Sequence, residues 1–272
     1  MTMTCDCELC RFRNPKPTAT AVFIKDGKLF VLKRSIPPFQ DKWDFMGGYI
    51  GENETPEECL RREIKEELNV GVDSLHYLGV FTGTGFYKEY EYPTLCFAYL
   101  AELEGEVKLN EENSEYAWLE PDAITDIAFD SNKKILEYLK KMLFNFDEVK
   151  KLADELITTD TVKEQSLYKA LLNGYVSRVY DGPRLVGMGW IFPRQTMLRR
   201  QAVVEDMIVD AAYRGKGLGK KILLDLMEWA KSKGVEVVEL TTNPSRVAAN
   251  ELYKKTGFVL HPTNHYLYFI EK

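Results

Sequence analysis

The sequence predicts two consecutive domains, each with a mixed α/β fold in which strands and helices are interleaved. The chain has 272 residues, and a typical domain holds about 100–150 residues, so two domains fit the length better than one. Hydrophobic residues make up 45% and charged residues 29% of the chain, as in ordinary globular proteins. The pattern of helices and strands starts again at Phe146, which places the expected boundary near Asn145.

The first half opens with a predicted β-hairpin, because two strand-like runs flank Asp26-Gly27, a pair that favours a type I′ turn. A helix is predicted over Pro56–Leu68. Thr55 and Glu58 can form a capping box at its start, and Asn69 can end it in the left-handed conformation. The other elements predicted in this half are strands over Thr20–Lys25, Leu29–Lys33, Leu75–Thr82 and Thr94–Glu102, and a helix over Ser131–Leu143.

The second half alternates helices and strands again, with a hairpin turned at Asp181-Gly182. Apolar residues at helical spacing identify its longest helix, which follows a strand and a glycine-rich turn. In chain order, the predicted elements are helices over Asp147–Ile157 and Thr161–Leu172, a strand over Ala202–Val209, a helix over Leu218–Lys233, a strand over Val235–Thr241, a helix over Arg246–Thr256 and a strand over Tyr266–Ile270.

Charge and hydropathy exclude several classes of function. The net charge is −6, and the sequence has no long run of basic residues that would attract an anionic partner. We therefore expect no nucleic-acid binding. Apolar runs fall far short of the roughly 18 residues that span a bilayer, so no membrane partner is expected. The polar stretch from Met1 to Arg13 lacks the apolar core of a secretory signal, which predicts a cytoplasmic protein.

Three carboxylates are predicted to share one face of the first long helix. Glu63, Glu66 and Glu67 stand at positions i, i+3 and i+4, so their side chains project together. Their repulsion would be relieved by a hard divalent cation, and Mg²⁺ in proteins commonly binds carboxylates together with substrate phosphates. A solvated acidic face is the alternative interpretation.

The surrounding stretch resembles the Nudix box, G-x5-E-x7-R-E-U-x-E-E-x-G-U, where U is an aliphatic residue. Between Gly48 and Val70, eight of the nine defined positions match. Asn69 replaces the second glycine, and asparagine also adopts left-handed conformations at helix ends. The resemblance covers about residues 18–144.

The resemblance implies an α/β/α sandwich and a hydrolase that uses Mg²⁺ or Mn²⁺ to cleave nucleoside diphosphates linked to another group. It also implies roles for matching residues. Glu63, Glu66, Glu67 and the carbonyl of Gly48 are implied metal ligands; Glu66 and Glu67 are implied catalytic residues, Glu67 helping to activate water; Arg62 and Glu54 would orient the site.

Further acids and aromatic residues are left with two interpretations each. A loop glutamate could supply another acid or base, or could simply be a surface residue; the candidates are Glu111, Glu112 and Glu115. Aromatic residues could form a base-stacking platform or serve as strand and core residues. These are Phe81, Phe86, Tyr87, Tyr90 and Tyr92.

A glycine-rich turn connects a strand to a helix in the second half, at Arg214–Lys220. Such glycines let backbone N–H groups approach an anion, and a helix N-terminus adds partial positive charge, so the turn suits a pyrophosphate. A tight turn without a ligand is the alternative.

The motif Arg214-x-x-Gly217-x-Gly219 resembles the acetyl-CoA motif of GNAT-type N-acetyltransferases. A later segment also resembles that family in order and spacing, with Asn243-Pro244, Asn250, Leu252-Tyr253 and Gly257-Phe258. The resemblance covers about residues 147–272 and implies a GNAT-type mixed α/β domain that transfers an acetyl group from acetyl-CoA to an amine, whose identity is unknown.

This resemblance also implies roles. Tyr253 would protonate the departing thiolate, and Glu205 would accept a proton from the amine, unless it is an outward or paired strand carboxylate. The implied cofactor-binding residues are Met207, Ile208 and Val209 along pantetheine, Arg214, Gly215, Lys216, Gly217, Leu218, Gly219 and Lys220 around the pyrophosphate, and Asn243 and Asn250.

The sequence thus divides into a cysteine-containing segment over residues 1–17, a hydrolase domain over 18–145 and an acetyltransferase domain over 146–272. Cys5, Cys7 and Cys10 could offer three thiolates to zinc, but the second cysteine pair of a zinc ribbon is missing, which disfavours a zinc site. The leading hypothesis is a bifunctional hydrolase and acetyltransferase. The alternative is an acetyltransferase regulated by a non-catalytic nucleotide-sensing Nudix module.

Overall fold

A computed structural model describes residues 14–87, 90–143, 145–154, 162–268 and 270. These residues form two compact units. The first unit comprises described residues up to 146 together with 162–172, and the second comprises 147–154 and 173–270. Residues 162–172, which the sequence assigns to the second domain, therefore make their contacts with the first unit.

The first unit contains one sheet and three of the helices that the structure describes. Its elements are β1 (Lys16–Lys25), β2 (Lys28–Arg34), β3 (Trp43–Asp44), β4 (Met46–Tyr49), α1 (Pro56–Leu68), β5 (Gly71–Tyr87), β6 (Tyr90–Glu104), β7 (Asn113–Leu119), α2 (Asp130–Met142) and α4 (Glu164–Asn173). Helix α3 (Phe146–Ala153) lies between α2 and α4 in the chain and is described with the second unit. The sheet is mixed, since β1 runs parallel to β6 and antiparallel to β2 and β4, while β5 runs antiparallel to β6.

Local sequence signals account for the start and end of α1. The Thr55 side chain accepts a hydrogen bond from the Glu58 backbone, and the Glu58 side chain bonds back, so the predicted capping box is confirmed. Asn69 lies in the left-handed region with φ 54°, also as predicted, and its N–H bonds the carbonyl of Lys65.

The sheet is covered by apolar side chains on both faces. Successive β1 residues point to opposite faces, so Phe23 lies in the cluster beneath α1 and Ile24 in the cluster beneath α2. Each helix contributes an apolar stripe to its cluster: Leu60 and Ile64 from α1, Ile135 from α2. The result is the α/β/α layering expected from the sequence.

Helix α4 completes one face of the first unit. Tyr168 is fully buried in the cluster beneath α2. The Glu164 carboxylate accepts the N–H groups of Asp26 and Gly27 at the β1–β2 turn, each at 2.8 Å, and the Tyr168 hydroxyl at 2.6 Å. A helix that follows the first domain in sequence thus caps the hairpin that opens it.

The second unit contains a separate mixed sheet in the order β11-β10-β9-β8. Strand β10 pairs antiparallel with β9 and parallel with β11. Helix α5 packs on the sheet through Ile222 and Leu226. The elements of this unit are α3 (Phe146–Ala153), β8 (Tyr175–Asp181), β9 (Arg184–Gln195), β10 (Arg200–Val209), α5 (Leu218–Ser232), β11 (Val237–Leu240) and α6 (Val247–Lys255).

Two differences from the sequence prediction concern strands. Strands β3, β4 and β7 were not predicted. The strand predicted over Tyr266–Ile270 is wrong, because the described part of that segment pairs with no strand and its side chains are largely exposed, Tyr268 by 92%. Alternating apolar residues favour a strand only where a neighbouring edge accepts its backbone hydrogen bonds.

No helix among the described residues has the length and apolar character needed to cross a bilayer.

The burial of Tyr168 leads to a stability prediction. Tyr168→Ala should lower the free energy of opening β1 and β2 by about 3–5 kcal/mol, the typical cost of emptying a buried aromatic site. Native-state hydrogen exchange of β1 and β2 amides measures this quantity. Tyr180→Ala, at a position 45% exposed on β8, is the control and should leave those amides unchanged. Unchanged exchange in Tyr168→Ala would show that α4 adds no stability to the first unit.

Candidate functional site

The Arg62 guanidinium joins the loop before α1 to the helix itself. Its Nε and Nη2 donate to the two carboxylate oxygens of Glu54 at 2.8 and 3.0 Å. Glu54 also accepts the Gly51 N–H at 2.8 Å, and the hydrogen bonds from Arg62 and Gly51 lower its pKa to about 2. A second bond from Nη2 reaches the Tyr49 carbonyl at 3.3 Å. The loop is therefore fixed to α1 at several points.

The three α1 carboxylates have different partners. Arg62 Nη1 donates to Glu63 at 2.8 Å and to Glu66 at 3.2 Å. Glu67 instead accepts the Asn113 side-chain amide at 2.8 Å. Within the part of the chain that the structure describes, these carboxylates do not converge on one point as a ready metal cluster.

Glu67 is the half-buried carboxylate with the most altered acidity. Burial raises its pKa to about 8, further raised by the charges of Glu112 and Glu63 and opposed by the hydrogen bond from Asn113. Without a cation nearby, Glu67 therefore holds a proton at neutral pH. A divalent cation bound here would offset the repulsion between Glu67 and the acids around it.

The loop between β6 and β7 places Glu112 near these acids. Backbone N–H groups of Lys108 and Asn110 bond the last carbonyls of α1, at 2.9 and 3.1 Å. The charge of Glu112 raises the pKa of both Glu63 and Glu67, whereas Glu115 forms an ion pair with Lys33. Of the three loop glutamates that the sequence left open, Glu112 is thus the one shown to act on two α1 carboxylates.

Gly48 leaves room for a carboxylate beside the backbone of β4. A Cβ at this position would lie 2.0 Å from Glu63 Oε1, so any larger residue would displace that side chain. Oxygen donors from Glu63, Glu67 and the Gly48 backbone are the ligand type that hard divalent cations bind. The donor chemistry therefore fits Mg²⁺ or Mn²⁺.

A buried polar network adjoins Glu67. Asp44 accepts hydrogen bonds from Arg34 at 3.0 Å and from Asn132 at 2.5 Å, and burial raises its pKa to about 6. Its charge contributes to the raised pKa of Glu67. The Asn132 Oδ1 atom is buried without a hydrogen-bond partner among the described residues. The sequence analysis missed this network, although Asp44 directly precedes the Phe-Met-Gly-Gly run that leads into the box.

Three phenylalanine rings lie close to this network. Phe39 packs edge-on against Phe86 and Phe129, with ring centres 5.2 and 5.1 Å apart, and the Arg34 guanidinium lies 5.1 Å from the Phe129 ring centre. Phe81 instead packs against the core beneath α2. Of the other aromatic residues singled out in the sequence, Tyr87 and Tyr90 are exposed and Tyr92 is half-buried, its hydroxyl 2.6 Å from that of Tyr49.

In the second unit, a cavity of about 910 Å³ opens beside β10. The parallel pairing of β10 with β11 extends only to Val204 and Leu240, so beyond Val204 β10 is paired with β9 on one side and lines the cavity on the other. The cavity is lined by several of the sequence-predicted residues, namely Glu205, Met207, Ile208, Val209, Arg214, Asn243 and Tyr253.

The glycine-rich turn begins at the edge of this cavity. Gly215 and Gly217 have φ of 77° and 81°, a backbone conformation that larger residues rarely adopt. The turn leads into the N-terminus of α5 at Leu218, where backbone N–H groups are unpaired by the helix. The Arg214 Nε donates to the Val209 carbonyl at 3.0 Å, which ties the turn to the end of β10.

Tyr253 and the two asparagines take different positions. The Tyr253 hydroxyl lies 4.0 Å from Met207 Sδ on the cavity wall, and burial raises its pKa, so it stays protonated. Asn243 lines the cavity, but its side-chain oxygen accepts the Ser245 N–H at 2.9 Å. The Asn250 amide donates to the carbonyls of Asn243 and Arg246. Both asparagines therefore shape the turn between β11 and α6.

Asp206, Arg246 and His265 also line the cavity and were missed by the sequence analysis. Asp206 has φ of 47° and falls where the register of β9 and β10 shifts between Glu205 and Ile208. Such a bulge cannot be located from strand propensity alone.

The cysteines give no metal cluster in the described residues. Cys5, Cys7 and Cys10 lie outside those residues. Cys59 and Cys96 are free and buried. Cys59 donates to the Tyr49 carbonyl and Cys96 to the Thr20 hydroxyl, so both serve as core residues of the first unit.

Comparison with known proteins matches each half to a family. The NUDIX domain model matches residues 15–139, and the Acetyltransferase (GNAT) family model matches residues 133–258. An ADP-ribose pyrophosphatase from Methanocaldococcus jannaschii is 27% identical over 129 residues, which is 47% of this chain and 76% of that protein.

Two relatives correspond to the acetyltransferase family. A thialysine N-epsilon-acetyltransferase from Bos taurus is 32% identical over 41% of this chain and 66% of its own length. A glucosamine 6-phosphate N-acetyltransferase from Trypanosoma brucei brucei is 41% identical over 21% of this chain and 37% of its own length. The chain thus spans between about a third and three quarters of these relatives. Together with the two α/β units, these matches identify the chain as a Nudix domain followed by a GNAT acetyltransferase domain.

Proposed function

We propose that the chain is a bifunctional enzyme, with a metal-dependent nucleotide hydrolase site in the first unit and an acetyl-CoA-dependent amine acetyltransferase site in the second. The observation that carries the hydrolase proposal is Glu67, a half-buried carboxylate of raised pKa surrounded by other acids at the end of α1. The cavity beside β10, with the glycine turn at its edge, carries the acetyltransferase proposal.

The residues that would hold Mg²⁺ or Mn²⁺ are Glu63, Glu66, Glu67 and the Gly48 carbonyl. When bound, such a cation neutralises charge on the phosphoryl oxygens of a diphosphate. Arg62 sets the orientation of Glu63 and Glu66 through its hydrogen bonds, and Glu54 holds Arg62 in place. Glu67, in its ionised form, accepts a proton from the attacking water.

The substrate is proposed to be a diphosphate that links a nucleoside to another group, as the similarity to an ADP-ribose pyrophosphatase supports. The half-exposed face of the Phe39, Phe86 and Phe129 rings would contact the base.

In the second unit, the N–H groups of Gly215 to Gly219 and the N-terminus of α5 would bind the acetyl-CoA pyrophosphate. The end of β10 over Met207–Val209, which has no β11 neighbour, would align pantetheine and polarise the thioester carbonyl. Glu205 would accept a proton from the attacking amine, and Tyr253 would donate its proton to the departing thiolate. The amine attacks the thioester directly, so no covalent enzyme intermediate is needed.

The first test removes the charge of Glu67. Glu67→Gln should abolish Mg²⁺-dependent hydrolysis across a nucleotide panel, because the amide can neither bind the cation as an anion nor accept a proton, while acetyl transfer continues. Since glutamine still accepts the Asn113 hydrogen bond, the fold should be retained. Product analysis by mass spectrometry and circular dichroism measure these outcomes, and exposed Glu137→Gln on α2 is the control. Hydrolysis at the wild-type rate in Glu67→Gln would exclude Glu67 from the reaction.

The second test uses protons. The folded pKa of Glu67 is about 8, above the 4.5 of free glutamate. Protonation of Glu67 therefore stabilises the metal-free unit fully below about pH 4.5, and this stabilisation is lost as the pH rises from 4.5 to 8. Metal binding requires the ionised form, so Mn²⁺ should release about one proton per ion at pH 7 and fewer above pH 9. Calorimetry in buffers of different ionisation enthalpy measures the release. An equal release in Glu67→Gln would contradict the assignment.

The third test addresses the thiolate. Tyr253→Phe should reduce kcat for acetyl transfer by about 10²-fold with the KM for acetyl-CoA nearly unchanged, because it removes a proton donor and keeps the ring. Hydrolysis in the first unit should be unaffected. Tyr180→Phe at an exposed position is the control. A change in KM alone would show that Tyr253 binds rather than protonates.

The alternative is a nucleotide-sensing first unit. Its supporting observation is that Arg62 forms ion pairs with both Glu63 and Glu66. Tight nucleotide binding across a broad panel with Mg²⁺ and no hydrolysis, together with an altered acetyl-transfer rate, would favour the sensor.

A further inference from the structure

The carboxylates of α1 are held by two different kinds of support. Arg62 donates to Glu63 and Glu66, and all three residues belong to the same helix. Glu67 is held from another element, because Asn113 at the start of β7 donates its side-chain amide to Glu67 Oε2 at 2.8 Å. Asn113 lies 46 positions later in the chain, so this contact exists only in the folded unit. The position of Glu67 is therefore set separately from that of the other two acids.

An irregularity in β7 turns Asn113 toward α1. In a regular strand, every second side chain points to the same face of the sheet. Ala117 packs against the cluster beneath α2, so regular alternation would place Asn113, four residues earlier, on the α2 face as well. The pairing of β7 with β2 shifts by one residue in between and leaves Ser114 without an opposite residue on β2. This bulge reverses the alternation, and the Asn113 amide reaches Glu67 on α1.

The chemistry of the Asn113 side chain suits a carboxylate that has to bind a cation. Its amide is a neutral donor, so it fixes one oxygen of Glu67 without compensating the charge of the carboxylate. A guanidinium or ammonium group in this place would pair with Glu67 and compete with the cation. Asn113 is only 8% exposed, so little water reaches its hydrogen bond.

The second oxygen of Glu67 is left for another ligand. Within the described part of the chain, Glu67 Oε1 accepts no hydrogen bond, whereas Oε2 is occupied by the Asn113 amide. A carboxylate held by one oxygen keeps a single orientation of the other, which is the usual effect of a residue that supports a metal ligand.

We propose that Asn113 is a positioning residue of the hydrolase site, which holds Glu67 by Oε2 and so presents Oε1 to the divalent cation and the attacking water. This inference rests on the proposed hydrolase function and adds to it a residue outside the stretch that resembles the Nudix box. Asn113 acts through Glu67 alone, so its amide matters only while the Glu67 carboxylate is present.

The first experiment measures Mn²⁺ binding to the full chain by electron paramagnetic resonance, which reports the concentration of unbound ion without any turnover. Asn113→Leu removes the donor and keeps the approximate volume of the side chain. We expect its Kd for Mn²⁺ to rise about 10-fold, a typical loss when a residue that orients a metal ligand is removed. Ser114→Ala, the exposed neighbour on β7, is the control and should leave the Kd unchanged. An unchanged Kd in Asn113→Leu would overturn the inference.

A double-mutant cycle separates orientation of Glu67 from a general effect on the fold. In the Glu67→Ala background, Asn113→Leu should change the Kd for Mn²⁺ by less than about 2-fold, because the carboxylate that Asn113 orients has been removed. A purely structural role would give the same 10-fold loss in both backgrounds, and that result would contradict the proposal.

Kinetics give a second measurement. At saturating Mg²⁺, Asn113→Leu should lower kcat for nucleotide hydrolysis about 10-fold and leave KM for the nucleotide within about 2-fold, because Glu67 rather than the nucleotide loses its support. A loss confined to KM would contradict the assignment.

Asn113→Ser tests the donor in a second way. Serine keeps a hydroxyl donor on a shorter side chain, so it should restore part of the Mn²⁺ affinity and of kcat that Asn113→Leu loses. Circular dichroism checks the fold of both variants, and if the leucine variant does not fold, the serine variant and the double-mutant cycle built on it carry the same comparison. Affinity in Asn113→Ser below that of a folded Asn113→Leu would speak against the hydrogen bond.

The wild-type chain distinguishes this inference from the proposed function. Mn²⁺ binding and hydrolysis in the wild type, with Asn113→Leu equal to it in both, would overturn the role of Asn113 and leave the hydrolase proposal standing. Absence of both Mn²⁺ binding and hydrolysis in the wild type would overturn both.

Discussion

The arrangement of the acidic residues in the first unit depends on one guanidinium group. Arg62 forms a bidentate pair with Glu54 and also bonds Glu63, Glu66 and the Tyr49 carbonyl, so one side chain connects the loop to the helix at several points. A planar group with donors in fixed directions can do this, whereas a lysine ammonium cannot hold two oxygens of one carboxylate in the same way. The requirement for an arginine and a glutamate eight residues apart follows from this geometry.

The cavity of the second unit depends on an interruption of the pairing between β10 and β11. Where β11 stops at Leu240, β10 continues without a parallel neighbour, and the register of β9 and β10 then shifts between Glu205 and Ile208. A β11 strand that continued along β10 would occupy the space of the cavity. The chemistry of the unit therefore arises from a break in secondary structure, while α5 and the core beneath it remain regular.

The sequence predicts what is encoded locally. The capping box at Thr55, the left-handed Asn69 and the glycine turn before Leu218 depend on residues only a few positions apart, and the structure has all three. What depends on distant contacts could not be predicted. Glu112, rather than Glu111 or Glu115, raises the pKa of Glu63 and Glu67, and the loop that carries it is bonded through its backbone to the end of α1. The strand expected over Tyr266–Ile270 has no described partner edge. The bulge at Asp206 likewise needs β9 to define it.

The docking of α4 bears on how the two halves can be exchanged. Contacts assign residues up to 146 and 162–172 to the first unit and the intervening and following described residues to the second, so the chain crosses between units three times. No single cut in the gene yields both units intact. A recombination event that transferred the acetyltransferase half alone would have to leave α4 behind or carry it away from the core that buries Tyr168. The two catalytic halves are therefore inherited together more readily than apart.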